Sequence, residues 1–501
     1  MLLLGIDLGT SSIKVSVVDG ATQRCLASAQ YPEAETDIIS SKPGWAEQSP
    51  DLWWENVKQA ILKCNASAAY DPKDIGAIGI AYQMHGLVMV DDDQHVLRNS
   101  IIWCDSRAVE TGDAAFDAIG KEKCLSALLN SPGNFTASKL AWVKQHEPEI
   151  YTRANKVMLP GDFISMKFTG DITTTPSALS EGIFWDFKQN GLSDDIMEYF
   201  GFDTDLIPHI QPLFSRHGLV KESVAARLGL TPGIAVTYKA GDQLNNAFSL
   251  NALEPGEVAA TAGTSGVIYG VSDQLNYDPA SRINSFAHVN HNEFHTRLGV
   301  LLCINGAGIS NRWIRNVTGS QNTYQSLNAA AASVPVGADG LMVLPFGNGA
   351  ERMLKNKIVG AQVHNLDFNI HHTAHLARAV QEGVAFAFRY GLDIMRENGM
   401  VPSIIRAGRA NMFLSEVFAS SFVNATGVPV ELFEVDGSIG AELGEGVGAD
   451  YYSNASSAFS KRKLLGFVEP SGDNRYEQLY QEWKGLLKLQ LQKNEFSAST
   501  I

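Results

Sequence analysis

The chain has 501 residues, of which 45% are hydrophobic, which favours two globular domains. Its formal net charge of −15 excludes a nucleic-acid partner but not a local nucleotide site. Its five cysteines show no C-x-x-C spacing, so neither a disulfide framework nor a zinc site is indicated. The first residues lack the features of a signal peptide and no apolar run is long enough to cross a bilayer, so we expect a cytoplasmic protein without membrane contact.

The first twenty residues predict a β-hairpin. Two apolar runs flank a turn that carries Asp7, Gly9, Thr10 and Ser11. A carboxylate, hydroxyl groups and a glycine that lets backbone N–H groups approach a ligand would suit a metal-bound polyphosphate. The alternative is an ordinary polar turn.

The rest of the first half alternates predicted strands and helices. Ser49 and Pro50 predict the start of a helix, and apolar residues at helical spacing follow them. Three apolar runs predict strands that end in polar residues, where α/β proteins tend to place ligand groups. These runs are residues 75–80, which lead to Met84 and His85, residues 100–103, which lead to Asp105, and residues 232–241, which lead to Asp242 and Gln243.

The second half repeats the plan of the first hairpin. Residues 257–270 again predict strand, turn and strand, and Gly263-Thr264-Ser265 matches Gly9-Thr10-Ser11. Two like hairpins about 250 residues apart suggest two halves of similar architecture with a ligand between them. Further on, the sequence predicts a long helix over 373–396, a strand over 403–406 and a last helix through Trp483 that docks on the domain.

Three acidic residues are candidates for chemistry because each is expected to follow a strand. Phosphoryl transfer needs one carboxylate near Mg²⁺ and another to accept the proton of the attacking hydroxyl. Asp7 suits the metal and Asp242 the base, whereas any single loop aspartate can also be a cap or a turn former. His85 can be a ligand or a structural residue. A P-loop or a complete dinucleotide-binding glycine motif is not found in the sequence.

Five motifs, in this order, resemble those of the FGGY carbohydrate kinases and, within that family, its bacterial xylulokinase branch. The likeness extends over about residues 1–450. The motifs are Gly5-Ile-Asp-Leu-Gly-Thr-Ser-Ser, Gln83-Met-His-Gly86, Asn134-Phe-Thr-Ala-Ser-Lys-Leu-Ala-Trp142, Ala240-Gly-Asp-Gln243 and Gly263-Thr-Ser-Gly266.

The resemblance implies an α/β fold of two actin-like, ribonuclease-H-like ATPase domains with a cleft between them. Residues 1–250 would bind the sugar and carry the base, and residues 251–501 would bind the nucleotide and end in the docking helix. The implied reaction is ATP- and Mg²⁺-dependent phosphorylation of a small ketose, first of all D-xylulose to D-xylulose 5-phosphate. Sugar and ATP are the expected partners, and a homodimer is left open.

The resemblance also implies a role for each site residue. Asp242 would be the catalytic base and Asp7 the residue near Mg²⁺. The sugar would contact Met84, His85, Asp105 and Gln243. The nucleotide would contact Thr10, Ser11, Gly263, Thr264, Gly308, Gly408 and Asn411.

The sequence departs from the family pattern in three places. Gln243 stands where xylulokinases commonly have Asn, and Cys104 precedes Asp105 where an Asn is common. Arg406 and Ala407 replace glycines, which predicts a weaker or shifted nucleotide contact. Three alternatives therefore stay open: a kinase for another ketose or polyol such as ribulose, a deoxy-ketose or glycerol; a non-catalytic sugar sensor; and an ATPase acting on protein partners.

Overall fold

Two mixed β-sheets with helices packed on them organise the chain in a computed structural model, which describes residues 1–319, 321–434 and 439–498. In the first half the strands are Leu2–Leu8 (β1), Ile13–Asp19 (β2), Arg24–Tyr31 (β3), Glu47–Gln48 (β4), Ile75–Tyr82 (β5), Val88–Val90 (β6), Ser100–Ile101 (β7), Lys156–Met158 (β8), Thr173–Thr174 (β9), Trp185–Asp186 (β10), Gly191–Leu192 (β11), His209–Ile210 (β12), Gly218–Leu219 (β13) and Ala235–Gly241 (β14).

The strands of the second half begin just after the predicted boundary. They are Glu257–Ala262 (β15), Gly266–Ser272 (β16), Asn284–Ala287 (β17), Leu298–Ile304 (β18), Met342–Leu344 (β19), Ala350–Glu351 (β20), Lys357–Ile358 (β21), Gln362–His364 (β22), Ile404–Gly408 (β23), Val430–Phe433 (β24) and Leu464–Val468 (β25).

The α-helices pack on these sheets or on one another. They are Pro50–Asn65 (α1), Val109–Ile119 (α2), Lys121–Leu128 (α3), Thr136–His146 (α4), Pro148–Tyr151 (α5), Pro160–Thr169 (α6), Pro176–Glu181 (α7), Asp194–Phe200 (α8), Glu222–Leu228 (α9), Asp242–Ser249 (α10), Ala307–Thr318 (α11), Tyr324–Ala332 (α12), Thr373–Glu397 (α13), Glu416–Thr426 (α14), Ile439–Gly448 (α15) and Arg475–Ala498 (α16).

The two large sheets share one topology. The first has the order β13-β14-β5-β1-β2-β3, and the second has the order β17-β18-β16-β15-β23-β24-β25. In each, an antiparallel hairpin (β1–β2 or β15–β16) continues into parallel strands (β5 and β14, or β23 and β24). The predicted duplication of architecture is therefore confirmed.

Most elements predicted from the sequence are confirmed. Helix α1 begins at Pro50 and is capped by Ser49, whose hydroxyl accepts a hydrogen bond from the backbone N–H of Leu52. The apolar run at residues 100–103 is the exception. Only Ser100 and Ile101 form a strand, and that strand pairs with β4 outside the large sheet.

Helix α15 belongs to the second half of the sequence but packs on the first sheet, against β1, β5 and β14. Its approach is close, since a Cβ atom added to Gly448 would lie 2.0 Å from the backbone oxygen of Thr237 on β14. The chain then returns to the second sheet at β25. A cut at residue 250 therefore separates the first sheet from one of its own covering helices.

Of the helices in the described ranges, each is too short or too polar to cross a bilayer.

Candidate active site

Three of the predicted site residues of the first half gather at one edge of the first sheet. Strands β1, β5 and β14 are parallel neighbours, so their carboxyl ends meet at the same edge. Asp7 is the second-last residue of β1, His85 follows the end of β5, and Asp242 follows β14 as the first residue of α10. The topology thus brings together three side chains that are far apart in the sequence.

Asp242 has a proton affinity suited to a general base. Burial in the protein raises the pKa of its carboxyl to about 6, although the backbone N–H and side-chain amide of Gln243 donate to it and act in the opposite direction. A base with a pKa near the working pH combines the correct charge state with a useful driving force for proton transfer.

His85 is held as a neutral ring of defined tautomer. Its Nδ1 lies 2.9 Å from the backbone oxygen of Glu181, and because that oxygen can only accept, Nδ1 carries the hydrogen. Burial lowers the pKa of His85 to about 3, so the ring is uncharged at neutral pH. Nε2 is then a hydrogen-bond acceptor, suited to a ligand hydroxyl.

The backbone and ring of His85 are fixed from several sides. The residue has φ of +62°, a left-handed conformation that is uncommon for residues other than glycine. The Nζ of Lys139 donates to the backbone oxygens of His85, at 2.8 Å, and of Ile102, at 3.0 Å. The rings of Phe135 and Phe286 contact the imidazole at centroid distances of 4.8 and 5.5 Å. Met84 is buried beside it.

Lys139 was not predicted as a site residue. It is fully buried on α4, and burial lowers its pKa to about 7. The available signal was the position of Lys139 beside Leu140, Ala141 and Trp142 on the apolar part of α4, because a lysine is seldom buried without a specific task.

Asp105 follows the two-residue strand β7, which pairs with β4 outside the large sheet. Its carboxylate is 1% exposed and accepts hydrogen bonds from Arg107, at 2.7 and 3.0 Å, and from the backbone N–H of Ala46, at 2.6 Å. A direct sugar contact would require some of these bonds to break, so Asp105 is better explained as a structural residue.

The hydroxyl of Thr10 is already engaged within the protein. It accepts a hydrogen bond from Nε1 of Trp103, at 2.9 Å, and donates one to Oε1 of Gln83, at 3.2 Å. Ser11, by contrast, is exposed at the turn. Within Thr10, only the backbone therefore remains for the predicted phosphate contact.

A cavity of about 440 Å³ lies in the second half and contains four of the predicted nucleotide-binding residues. This volume falls in the range of small-molecule sites. Gly263, Thr264, Gly308 and Asn411 line the cavity, whereas Gly408 does not. The backbone N–H of Gly308 donates to the oxygen of Gly263 at 2.9 Å, and a Cβ atom added to Gly308 would lie 2.2 Å from that oxygen.

Three polar residues on the far wall of this cavity were missed. The amide nitrogen of Gln381 on α13 donates to Asn328 on α12 at 3.1 Å, and its oxygen accepts from the hydroxyl of Ser415 at 2.7 Å. Polar side chains in an amphipathic helix normally predict a solvent-facing surface, so the sequence contained no signal that these face a cavity.

The two departures Arg406 and Ala407 lie on β23 and do not line the cavity. Arg406 forms ion pairs with Glu257 and Glu431, each at 2.8 Å, and Ala407 is fully buried. Neither side chain therefore extends into the part of the cavity that a nucleotide would occupy.

The carboxylate of Asp7 at the sheet edge is the kind of ligand that Mg²⁺ binds. In the part of the chain that the structure describes, no group of three or more His, Cys, Asp or Glu side chains could hold a metal ion. Mg²⁺ usually binds through one or two carboxylates together with substrate phosphates and water. Asp7, at the end of β1 beside the Gly9-Thr10-Ser11 turn, offers such a carboxylate.

Two family models match most of the chain. The model of the FGGY family of carbohydrate kinases, N-terminal domain, matches residues 2–249, and the model of the C-terminal domain of the same family matches residues 258–441.

Known proteins similar to the chain cover about four fifths of it or more. A xylulose kinase of Bacillus subtilis (strain 168) is 30% identical over 79% of this chain and 78% of its own. A xylulose kinase structure from Rhodospirillum rubrum has a TM-score of 0.87 at 24% identity, with coverage of 98% and 99%. A Plasmodium falciparum glycerol kinase structure with ADP has a TM-score of 0.87 at 19% identity, covering 98% of each chain. These similarities confirm the predicted actin-like, two-domain α/β fold.

Proposed function

The chain belongs to the FGGY family of carbohydrate kinases, and from that premise we propose that it phosphorylates a terminal hydroxyl of a small ketose, first of all D-xylulose. It is a phosphotransferase with an alcohol group as acceptor and ATP as donor. The choice of D-xylulose is supported by the similarity to xylulose kinases. The observation that carries the proposal is the placement of Asp242 and the neutral His85 at one sheet edge.

In the proposed reaction, Nε2 of His85 accepts a hydrogen bond from a sugar hydroxyl and orients the sugar. The Asp242 carboxylate takes the proton of the attacking terminal hydroxyl. The sugar oxygen then forms its bond to the γ-phosphorus while the bond to the bridging oxygen breaks, which releases ADP. Proton removal by a positioned base contributes about 10²–10⁴-fold to the rate of such a step.

Asp7 would hold Mg²⁺, which when bound supplies positive charge against the phosphate oxygens. Ser11, with its exposed hydroxyl, and the backbone of Thr10 would face the same phosphates. Met84 and Gln243 would complete the sugar contacts. We assign sugar binding to residues 1–250 and nucleotide binding to residues 251–501, with the adenosine in the cavity lined by Gly263, Thr264, Gly308 and Asn411.

ADP release over a panel of sugars tests this proposal. With D-xylulose, D-ribulose, 1-deoxy-D-xylulose, glycerol and D-xylose as acceptors, we expect the largest kcat/KM for D-xylulose. A larger value for another acceptor would reassign the substrate within the family. Sugar binding by calorimetry without ADP release from any acceptor would favour a non-catalytic sensor.

The acid side of the pH profile should report Asp242. The base is active when deprotonated, so kcat/KM is expected to be constant above about pH 6 and to fall about tenfold per pH unit below it. His85, whose pKa is lowered to about 3, stays neutral through this range. Measurement of kcat/KM from pH 5 to 8 checks the prediction, and a flat profile down to pH 5 would contradict it.

Gly308→Ala should weaken nucleotide binding. The added methyl group would lie 2.2 Å from the backbone oxygen of Gly263, so the two segments that line the cavity must separate. We expect the KM for ATP to rise at least about tenfold, because small displacements of binding groups are costly, with little change in the KM for the sugar. Gly485→Ala on α16, where an added Cβ meets no atom within 4 Å and the backbone has no positive φ, is a control outside the cavity. An unchanged KM for ATP would remove Gly308 from the site.

A further inference from the structure

Glu181 is a buried carboxyl group that the proposed reaction does not use. It is the last residue of α7 and is 0% exposed. Neither of its side-chain oxygens has a hydrogen-bond partner of good geometry among the described residues. Buried polar groups are normally satisfied, so an exception beside a reacting group calls for an explanation.

The carboxyl of Glu181 packs directly against the backbone that carries the base. A Cβ atom added to Gly241 would lie 2.5 Å from Oε2 of Glu181 and 2.8 Å from Cγ of Met84. Gly241 is the last residue of β14, and Asp242 follows it. The side chain of Glu181 therefore fills the space between α7 and this segment, and it limits how far the segment can move toward α7.

The backbone of the same residue positions the predicted sugar ligand. The oxygen of Glu181 lies 2.9 Å from Nδ1 of His85, and this contact determines which ring nitrogen faces the ligand. One residue thus contacts both His85 and the segment that leads to Asp242.

The charges around Glu181 favour its protonated form. Burial, followed by the negative charges of Asp242 and Asp162, raises the pKa of its carboxyl well above the usual range, although the Tyr82 hydroxyl and the backbone near His85 oppose this. Lys139, whose charge interacts with Glu181, directs its hydrogen bonds to backbone oxygens instead. A second ionised carboxylate here would be strongly unfavourable.

We propose that Glu181 is a positioning residue of the kinase, a neutral carboxylic acid whose side chain packs against Gly241 to place Asp242 while its backbone oxygen orients His85. This inference rests on the proposed role of Asp242 as the base. It assigns Glu181 a role through shape and hydrogen bonding, with no charge of its own and no contact with the substrate.

Four variants separate shape from charge. Glu181→Gln keeps the shape and a neutral group, so kcat should stay within about threefold of the original protein, as for other volume-conserving changes. Glu181→Asp withdraws the carboxyl from Gly241, so kcat should fall about 10²-fold while the KM for the sugar stays nearly constant. In Glu181→Asp with Gly241→Ala, the new methyl group no longer meets Oε2 of Glu181 but still lies 2.8 Å from Cγ of Met84. With Gly241→Ala alone measured as well, the combined loss in kcat should therefore be at least about tenfold smaller than the product of the two single losses.

Opposite results would overturn the inference. A loss in Glu181→Gln as large as that in Glu181→Asp would show that a charge or a transferable proton is needed. Full activity in Glu181→Asp, or purely additive losses in the double variant, would show that packing against Gly241 is unimportant.

A spectroscopic measurement tests the neutral state without any activity. The infrared difference between the original protein and Glu181→Gln at pH 7 should contain a protonated-carboxyl band, and ionised-carboxylate bands in its place would overturn the proposal. If the original protein released no ADP with any sugar, the proposed function would fail. The neutral state of Glu181 would still be tested, because this spectrum depends only on the folded protein.

Discussion

Asp242→Asn is expected to lower kcat by about 10²–10⁴-fold, the range contributed by a well-placed general base. The amide keeps the size of the side chain and its position at the start of α10, but it cannot take the proton of the sugar hydroxyl. Because His85 and the rest of the sugar contacts remain, sugar binding should stay measurable. Steady-state ADP release together with calorimetric titration of the sugar separates these two effects.

The exposed Asp93 offers a matched control. Asp93→Asn makes the same chemical change away from the sheet edge and should leave kcat and the sugar KM unchanged. Near-normal turnover in Asp242→Asn would mean that another group accepts the proton, and complete loss of sugar binding would mean that Asp242 acts mainly as a binding residue.

Asp162→Ala is expected to lower the free energy of unfolding by about 3–5 kcal/mol, the usual cost of leaving one partner of a buried ion pair uncompensated. Nζ of Lys239 lies 2.6 Å from the Asp162 carboxylate, and both side chains are 1% exposed. Lys239 also donates to the backbone oxygen of Thr173 at 2.7 Å, but that bond does not neutralise its charge. Denaturant unfolding followed by tryptophan fluorescence at pH 7 measures the change.

The control removes both charges. Replacing Asp162 by Leu and Lys239 by Met leaves an apolar pair of similar volume, and such replacements are often neutral or stabilising. We expect the double variant to recover most of the stability lost in Asp162→Ala. A loss below about 1 kcal/mol in Asp162→Ala, the size of an average substitution, would show that the lysine charge is relieved in another way.

The sequence allowed the two hairpins and the strand ends near His85 and Asp242 to be predicted, because both depend on local signals. Alternating or continuous apolar runs that stop at glycine and polar residues define a strand and its end. The match between Gly263-Thr264-Ser265 and the first turn then predicted the duplication that the two sheet orders confirm.

Predictions that depend on the partner of a segment were less successful. The run at residues 100–103 is apolar enough for a strand of the main sheet, yet it pairs with Glu47–Gln48, since apolar character does not specify which strand lies alongside. The hydrogen bonds of the buried side chains of Asp105 and Lys139 depend on chain segments that are distant in sequence. The cavity wall around Gln381 is likewise formed by segments that are distant in sequence. The roles assigned to the individual site residues remain predictions that the variants above can test.

The position of α15 has a consequence for how the protein is made. The ribosome releases the first sheet long before residues 439–448 emerge, so β1, β5 and β14 must wait with one face uncovered while every strand of the second sheet except β25 is synthesised. Exposed apolar sheet surface of this kind favours aggregation and chaperone binding. Truncations that end near residue 250 should therefore give insoluble protein, and a soluble first half should require α15 to be fused to it or supplied as a separate peptide.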